Sequence, residues 1–364
     1  MHTGDEYNNK SNGFIKRKRT RKIRVGNVFI GGDAPIAVQS MTNTDTRDAR
    51  TTINQIRTLE EAGCHIVRVA VPDNEAALAI KEIKRAIKIP LVADIHFDYR
   101  LAIASMENGA DKIRINPGNI GDEDRIKQVV KMAYAMDIPI RIGVNSGSVE
   151  KHIIEKHGKV NPEGMVESAI NHVKILEKYD YDKIAISIKA SNVPMTIAAY
   201  RLISEIMDYP LHLGVTEAGT AFKGTIKSSA ALGCLLSEGI GDTIRVSLTG
   251  DPVEEVKVGH EILKALELED KGVEIVSCPT CGRCNVNLEE IVKKVEDSLK
   301  NYNKNIKIAI MGCAVNGPGE AKEADIGIAG GKGEALLFKK GKIIKKIKED
   351  KIAEELIREI MNGD

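Results

Sequence analysis

One alternation, repeated through two thirds of this chain, restricts its fold more than any other feature. Apolar, β-rich runs appear at Ile36–Gln39, His65–Val71, Leu91–His96, Lys112–Asn116, Ile140–Asn145, Ile184–Lys189, Leu211–Glu217 and Thr243–Leu248. Helical spacing of apolar residues fills the intervals, as at Thr51–Ala62, Asn74–Ile87, Asp122–Met136, Gly164–Tyr179, Val193–Met207 and Phe222–Ser237. Pro90, Pro139 and Pro210 stand just before strands and stop the preceding helices. Eight strand-plus-helix units in about 240 residues predict an α/β chain closed into a TIM (β/α)8 barrel. A doubly wound open sheet is the competitor. It usually has fewer strands and often a Gly-rich phosphate loop, and no G-x-G-x-x-G follows Ile36–Gln39.

The flanks differ. Ile23–Val25 and Val28–Ile30, joined by Gly26-Asn27, predict a short hairpin ahead of the barrel. Beyond a closing helix at Val253–Leu268, the polar stretch Glu267–Gly272 marks a boundary. A strand (Val273–Ser277), a helix (Leu288–Lys300), a strand (Ile306–Met311), a hairpin over Ala335–Ile347 turning at Lys340-Gly341, and a helix at Ala353–Met361 follow. The expected organisation is a flexible N-terminal tail over 1–20, a barrel over 21–268 and a small α+β domain over 269–364. The lysine run at 339–351 is expected to be the wet face of that hairpin and helix.

The net charge of +1 offers no global field for nucleic acid or an acidic membrane. The basic run Lys16-Arg-Lys-Arg19 leads into no apolar segment and is expected to be solvated; no stretch reaches the roughly 18 apolar residues of a membrane span. Six cysteines in 364 residues are too few and too clustered for a disulfide framework, and predict reduced thiols in a cytoplasmic protein.

Strands of a parallel barrel are buried on both faces and should read as apolar. Four here carry an arginine between aliphatics: Val67-Arg68-Val69, Ile113-Arg114-Ile115, Ile140-Arg141-Ile142 and Ile244-Arg245-Val246. Lys189 ends another strand. A period of two places Arg114 with Asn116, Arg141 with Asn145, Arg245 with Ser247 and Asp94 with His96. Glu217 closes its strand before Ala218-Gly219. Unpaired buried cations are costly and repel one another, so five at the catalytic end of a barrel predict a pocket for a compact polyanion such as a phosphate ester. The competing reading pairs each arginine with a helix carboxylate outside the barrel, and Arg68, with only Ala70 and Pro72 at matching parity, is the weakest member. Asp94, two residues earlier, makes His96 a candidate orienting group, and Glu217 is a candidate proton donor or substrate-hydroxyl partner, with pairing of the arginines as its competing role.

Four cysteines fall in two Gly- and Pro-rich segments, Cys278-Pro-Thr-Cys281-Gly-Arg-Cys284 and Met311-Gly-Cys313-Ala-Val-Asn316-Gly-Pro-Gly-Glu320. Structural zinc would want a second C-x-x-C knuckle, which Cys313 lacks. A ferredoxin-like electron carrier would use all four thiolates. A catalytic 4Fe–4S cluster would take three of them and a weaker oxygen ligand, with Glu320 on offer. Spacing does not choose between Cys284 and Glu320. Cys64 and Cys234 read as small core residues.

Taken together these segments resemble the bacterial 4-hydroxy-3-methylbut-2-enyl diphosphate synthase family of the non-mevalonate isoprenoid pathway. The resemblance runs over about residues 20–350. It is carried by Val38-Gln39-Ser40-Met41-Thr42-Asn43-Thr44, Asp94-Ile-His96-Phe97, Ile113-Arg-Ile-Asn-Pro-Gly118, Arg141-Ile-Gly-Val-Asn145, Thr216-Glu-Ala-Gly219, Ser277-Cys-Pro-Thr-Cys-Gly-Arg283 and Met311–Glu320. It implies a TIM barrel followed by a small α+β domain with a 4Fe–4S cluster held by Cys278, Cys281, Cys313 and Glu320, and leaves Cys284 as a departure. The implied substrate is 2-C-methyl-D-erythritol 2,4-cyclodiphosphate. Arg68, Arg114, Arg141, Lys189, Arg245 and Ser247 would grip its diphosphate, and Asp94, His96, Asn145 and Glu217 would line its carbon skeleton. The implied reaction is a two-electron reductive ring opening with loss of water, fed by ferredoxin or flavodoxin. A homodimer sharing its active site between subunits is implied as well. An iron–sulfur hydro-lyase acting on a phosphorylated substrate without net reduction is the alternative.

Overall fold

The computed structural model describes residues 14–116, 118–269, 272–300, 302, 304–313 and 323–362. They fall into two compact units, divided between residues 269 and 270.

In the first unit eight parallel strands, Ala37–Met41, Ile66–Ala70, Leu91–Asp94, Lys112–Ile115, Ile140–Asn145, Ile184–Lys189, His212–Leu213 and Thr243–Ile244, form one sheet. A bridge between Ile186 and Leu211 joins the sixth strand to the seventh and closes the barrel. Their outward aliphatics pack under the surrounding helices in one continuous core. The loops leading off the strands end in helix caps of one chemistry. The Asp48, Asp73, Asp98, Asp122, Asn161, Asn192 and Asp251 side chains each accept an N–H from the first turn of the following helix. Each such cap stabilises by about 1 kcal/mol and fixes where a loop at the barrel mouth stops. Helices Tyr99–Glu107 and Lys151–His157 were not among the segments read from the sequence; nine and seven residues give little periodicity to detect.

The predicted hairpin is present, with Ile23 opposite Ile30. Its Ile23, Val25 and Ile30 pack on Ala37, Ile66, Val92 and Ala185, residues near the N-terminal ends of four barrel strands, and so seal that end. Part of the basic segment expected to be free lies against the same end. The Lys18 N–H donates to the Gly239 carbonyl, and Arg17 bonds the Ala34 carbonyl and pairs with the buried Asp242 carboxylate at 3.0 Å. That buried acceptor is what holds the strap. No helix among the described residues is long and apolar enough to cross a membrane.

The second unit is a five-stranded sheet. Val273–Ser277, Ile306–Met311 and Ile326–Gly330 run parallel, and Glu334–Lys339 and Lys342–Lys348 continue it antiparallel. The tight turn between the last two strands places Lys340 and Gly341 at φ of 48° and 75°. Helices Leu288–Leu299 and Ile352–Met361 pack on the sheet through Leu288, Ile291, Val295, Leu356 and Ile360. The strand Ile326–Gly330 was missed in the sequence because its Gly327 breaks the alternation. Gly327 is needed there, since a Cβ would stand 2.2 Å from the Ala309 carbonyl on the neighbouring strand. Lys345, within the lysine run, is paired with Glu355 and Glu359 of the closing helix.

Candidate functional site

Side-chain parity in a parallel strand sends alternate residues into the barrel, and here that set is polar. Arg114 stands opposite Asp94 and Arg141 in register, and Met41 stands opposite Arg68. The Arg114 Nη1 donates to Asp94 Oδ1 at 3.3 Å and its Nη2 to the Gly143 carbonyl at 3.3 Å. Arg68 Nε lies 3.8 Å from the other oxygen of Asp94, and its fork rests on the Met41 thioether, a weak acceptor. Arg141 is 1% exposed, and among the described residues its Nε and Nη1 have no hydrogen-bond partner. Lys189 is buried beside Gly214.

Arg245 is held differently. Its Nε and Nη2 each lie 3.3 Å from the Glu255 carboxylate, which also accepts from Ser40 Oγ and the Leu248 N–H. The pairing of an arginine with a helix carboxylate, raised from the sequence as the competing reading, therefore applies to this one. Glu255 was not singled out in the sequence; its signal was an acid in the first turn of the helix that follows an arginine strand.

Glycines make the room. A Cβ on Gly143 would stand 2.3 Å from Arg114 Nε, and one on Gly214 would stand 2.8 Å from Lys189 Nζ. Gly214 also comes within 2.7 Å of the Arg245 carbonyl by the same measure, and here the seventh strand ends, at Leu213 rather than at Glu217. Glu217 consequently lies in a loop, exposed, at φ of 52°, a left-handed conformation that costs a non-glycine residue on the order of 1 kcal/mol. The eighth strand likewise ends at Ile244, so Arg245 and Ser247 lie just beyond the ladder.

His96 follows the third strand and is half exposed, with its Nε2 3.2 Å from Asp94 Oδ2. Asn145 ends the fifth strand, and its backbone N–H donates to Ser148 Oγ, which also accepts from the Asn116 amide. Of the barrel residues singled out in the sequence, Asp94 thus gathers Arg68, Arg114 and His96, whereas Glu217 has no contact to this group among the described interactions.

The electrostatics follow from burial. Lys189 and Arg141 are pushed far below their ordinary values by desolvation first and by the neighbouring arginines second. Arg68 falls to about 10, again chiefly through burial, against the raising influence of Asp94. Burial alone would raise the Asp94 carboxyl, but Arg68, the His96 hydrogen bond and Arg114 outweigh it and hold it well below the carboxylate range. The sequence also concealed Lys112, on the inner face of the Arg114 strand and wholly buried. Its signal was parity with Arg114. The barrel interior therefore presents six cations, Arg68, Lys112, Arg114, Arg141, Lys189 and Arg245, and among the described residues two carboxylates, Asp94 and Glu255, answer them.

In the second unit the loop after Val273–Ser277 folds back on the end of Ile306–Met311. The Gly312 N–H donates to Cys278 Sγ at 3.2 Å, and the Asn285 N–H donates to the Gly312 carbonyl. A Cβ on Gly312 would meet Cys284 Sγ at 2.4 Å and Cys278 Sγ at 3.6 Å, so the two sulfurs flank one point of backbone, next to the buried Cys313. Cys281 is exposed, and no cysteine is in a disulfide. Among the described residues no three His, Cys, Asp or Glu side chains are gathered to hold a metal ion, and Glu320 lies outside the described residues. Soft thiolates with a backbone N–H aimed at one sulfur form a donor set that suits an iron–sulfur centre.

The fold defines a class: a TIM barrel with a cation-lined interior, followed by a small α+β unit bearing four cysteines. The chain belongs to the GcpE family, matching the GcpE TIM-barrel domain over residues 20–260 and the GcpE protein C-terminal domain over 274–362. It is 70% identical to the 4-hydroxy-3-methylbut-2-en-1-yl diphosphate synthase (flavodoxin) of Ruminiclostridium cellulolyticum, across 95% of this chain and 98% of that one. It is 63% identical to the protein of the same description from Clostridium acetobutylicum, across 96% and 100%. Among solved structures, dihydropteroate synthase from Stenotrophomonas maltophilia superposes with a TM-score of 0.51 at 13% identity, over 68% of this chain and 97% of that chain. That likeness concerns the barrel fold alone.

Proposed function

We propose that the protein carries out the reductive ring opening and dehydration of 2-C-methyl-D-erythritol 2,4-cyclodiphosphate to (E)-4-hydroxy-3-methylbut-2-enyl diphosphate. The observation that carries this reading is the excess of buried cations inside the barrel. Such an arrangement is costly when empty and suited to a compact diphosphate, whose oxygens match arginine forks. The relatives' description fits the same chemistry.

In this reading Arg68, Arg114, Arg141, Lys189, Arg245 and Ser247 bind the diphosphate. Asp94 keeps Arg68 and Arg114 pointed inward and orients His96 toward the carbon skeleton, with Asn145 beside it. Glu217, at the rim, donates the proton that leaves with the departing hydroxyl as water. Cys278, Cys281, Cys313 and Glu320 would hold a 4Fe–4S cluster, with Cys284 a bystander. When bound, that cluster would supply the two electrons, received singly from flavodoxin or ferredoxin. The protein would act in the cytoplasm as a homodimer whose two subunits share each active site.

Anaerobically reconstituted protein, reduced by flavodoxin or a viologen, should convert the cyclodiphosphate to the linear allylic diphosphate by phosphorus NMR. No turnover with an intact cluster would overturn the proposal, and turnover without added electrons would establish the hydro-lyase instead.

A further inference from the structure

The charges that meet a diphosphate at the barrel mouth leave a deeper group unexplained. Lys112 is fully buried, and among the described residues its Nζ has no hydrogen-bond partner. Neither amide atom of Gln39 has one, nor does Nε2 of His212, whose Nδ1 is engaged by Thr243 Oγ1 at 2.8 Å. Arg141 adds its own two unpartnered nitrogens.

These four residues come from the first, fourth, fifth and seventh strands, and all face inward. Gln39 shares the face of Met41, against which Arg68 and Arg245 rest. Lys112 shares that of Arg114, Arg141 that of Gly143, and His212 that of Gly214. An eight-stranded barrel is narrow, wide enough inside for side chains or for one small ligand, so inward groups from opposite strands converge. Buried polar groups without partners are rare in proteins, so this group is suited to a partner from outside the described side chains. The hairpin seals the barrel below them with Ile23, Val25 and Ile30.

We propose that Lys112, with Arg141, forms an inner anion site beneath the mouth, walled by Gln39 and His212, that takes a phosphate oxyanion. Both cations supply charge, and the Gln39 amide and the His212 imidazole supply neutral hydrogen bonds. The site rests on the reading of the barrel as a phosphate receptor, not on the redox chemistry. Burial, and then Arg141 and Arg68, push the Lys112 amine far below its ordinary value, the condition of a base that lacks a counter-ion. The oxyanion has two possible sources, free inorganic phosphate or the inner phosphate of a diphosphate ligand.

The test uses the full chain, with inorganic phosphate and pyrophosphate as probes in calorimetric titration and thermal melts. Lys112→Met fills the same volume without a charge, so it should raise the melting temperature in the absence of phosphate. It should also weaken binding by about tenfold or more, the loss expected for one charge-assisted hydrogen bond. Lys112→Gln keeps a polar head and should lose the same affinity. Loss of affinity for both probes assigns free phosphate to the site, and loss for pyrophosphate alone assigns the diphosphate. Affinity unchanged within twofold in both variants, or a lowered melting temperature for Lys112→Met with binding intact, would overturn the site and make Lys112 structural. Wild-type protein that shows Lys112-dependent binding but no turnover of the cyclodiphosphate would sink the proposed reaction and leave this site standing.

Discussion

Replacing Asp94 by Asn removes one negative charge from between two arginines and changes little else in size. The Asp94 side chain is about one-twentieth exposed, with Arg114 at 3.3 Å, Arg68 at 3.8 Å and His96 at 3.2 Å. Removing one partner from a buried pair costs about 3–5 kcal/mol, because the remaining charge keeps its desolvation penalty and loses its compensation. Arg68 is 12% exposed toward the mouth and retains some hydration, which places the expected loss at about 3 kcal/mol. For a unit of this size each kcal/mol moves the midpoint by about 2–4 °C, so the melting temperature should fall by roughly 6–12 °C in calorimetry of the full chain.

The pH dependence has a definite sign. The folded Asp94 titrates well below the unfolded carboxyl, near 3.9 for a model aspartate, so its stabilisation is complete above that pH and is lost only on further acidification. Measured in a His96→Asn background, so that no imidazole lies beside the carboxylate, the effect of Asp94→Asn should therefore stay flat from about pH 5 to 8. A loss under about 1 kcal/mol would show that the backbone and the thioether suffice to hold the arginines, refuting Asp94 as their counter-charge. In that background a difference that changes by more than about 1 kcal/mol between pH 5 and 8 would refute the assigned ionisation.

Gly143→Ala should drive Arg114 from its place, lowering stability by about 1–3 kcal/mol and raising the KM for the cyclodiphosphate, read by melts and steady-state kinetics. Arg17→Ala should strand the Asp242 carboxylate, which keeps bonds from Thr20 and the Leu211 N–H, and cost about 3 kcal/mol in denaturant melts with the diphosphate affinity unchanged. Glu320→Ala should lose or alter the cluster while Cys284→Ser retains it, measured as iron and sulfide content and electron paramagnetic resonance of the reduced protein. The reverse outcome would make Cys284 the fourth ligand.

The barrel was legible because apolar β-rich runs alternate with helical spacing eight times over, with prolines stopping helices just before strands. The inner face was legible only in part. Arg68 looked weak in the sequence because its own strand offers no polar residue at matching parity, yet its partner Asp94 comes from the adjacent strand. Register across strands, which a single segment does not encode, decides that pairing. Lys112 was passed over for the opposite reason: it begins an apolar run, where a lysine reads as the solvated edge of a strand. Arg245 looked like its neighbours and proved to be the one paired with a helix carboxylate, because Glu255 reaches it across the strand-to-helix turn.

The glycines explain how so much charge is accommodated in so narrow a space. An eight-stranded barrel has room inside for side chains and at most one small ligand. Two positions that face inward at the level of the cations carry no side chain, and Arg114 and Lys189 occupy the volume released at Gly143 and Gly214. The seventh strand ends beside Gly214, and the loop beyond it carries Glu217 in a left-handed conformation. Room for Lys189 and the start of the loop that carries the proposed acid thus meet at Gly214. A larger residue at Gly214 should therefore disturb the diphosphate grip and the Glu217 loop together, whereas a change in the hairpin below should affect stability alone.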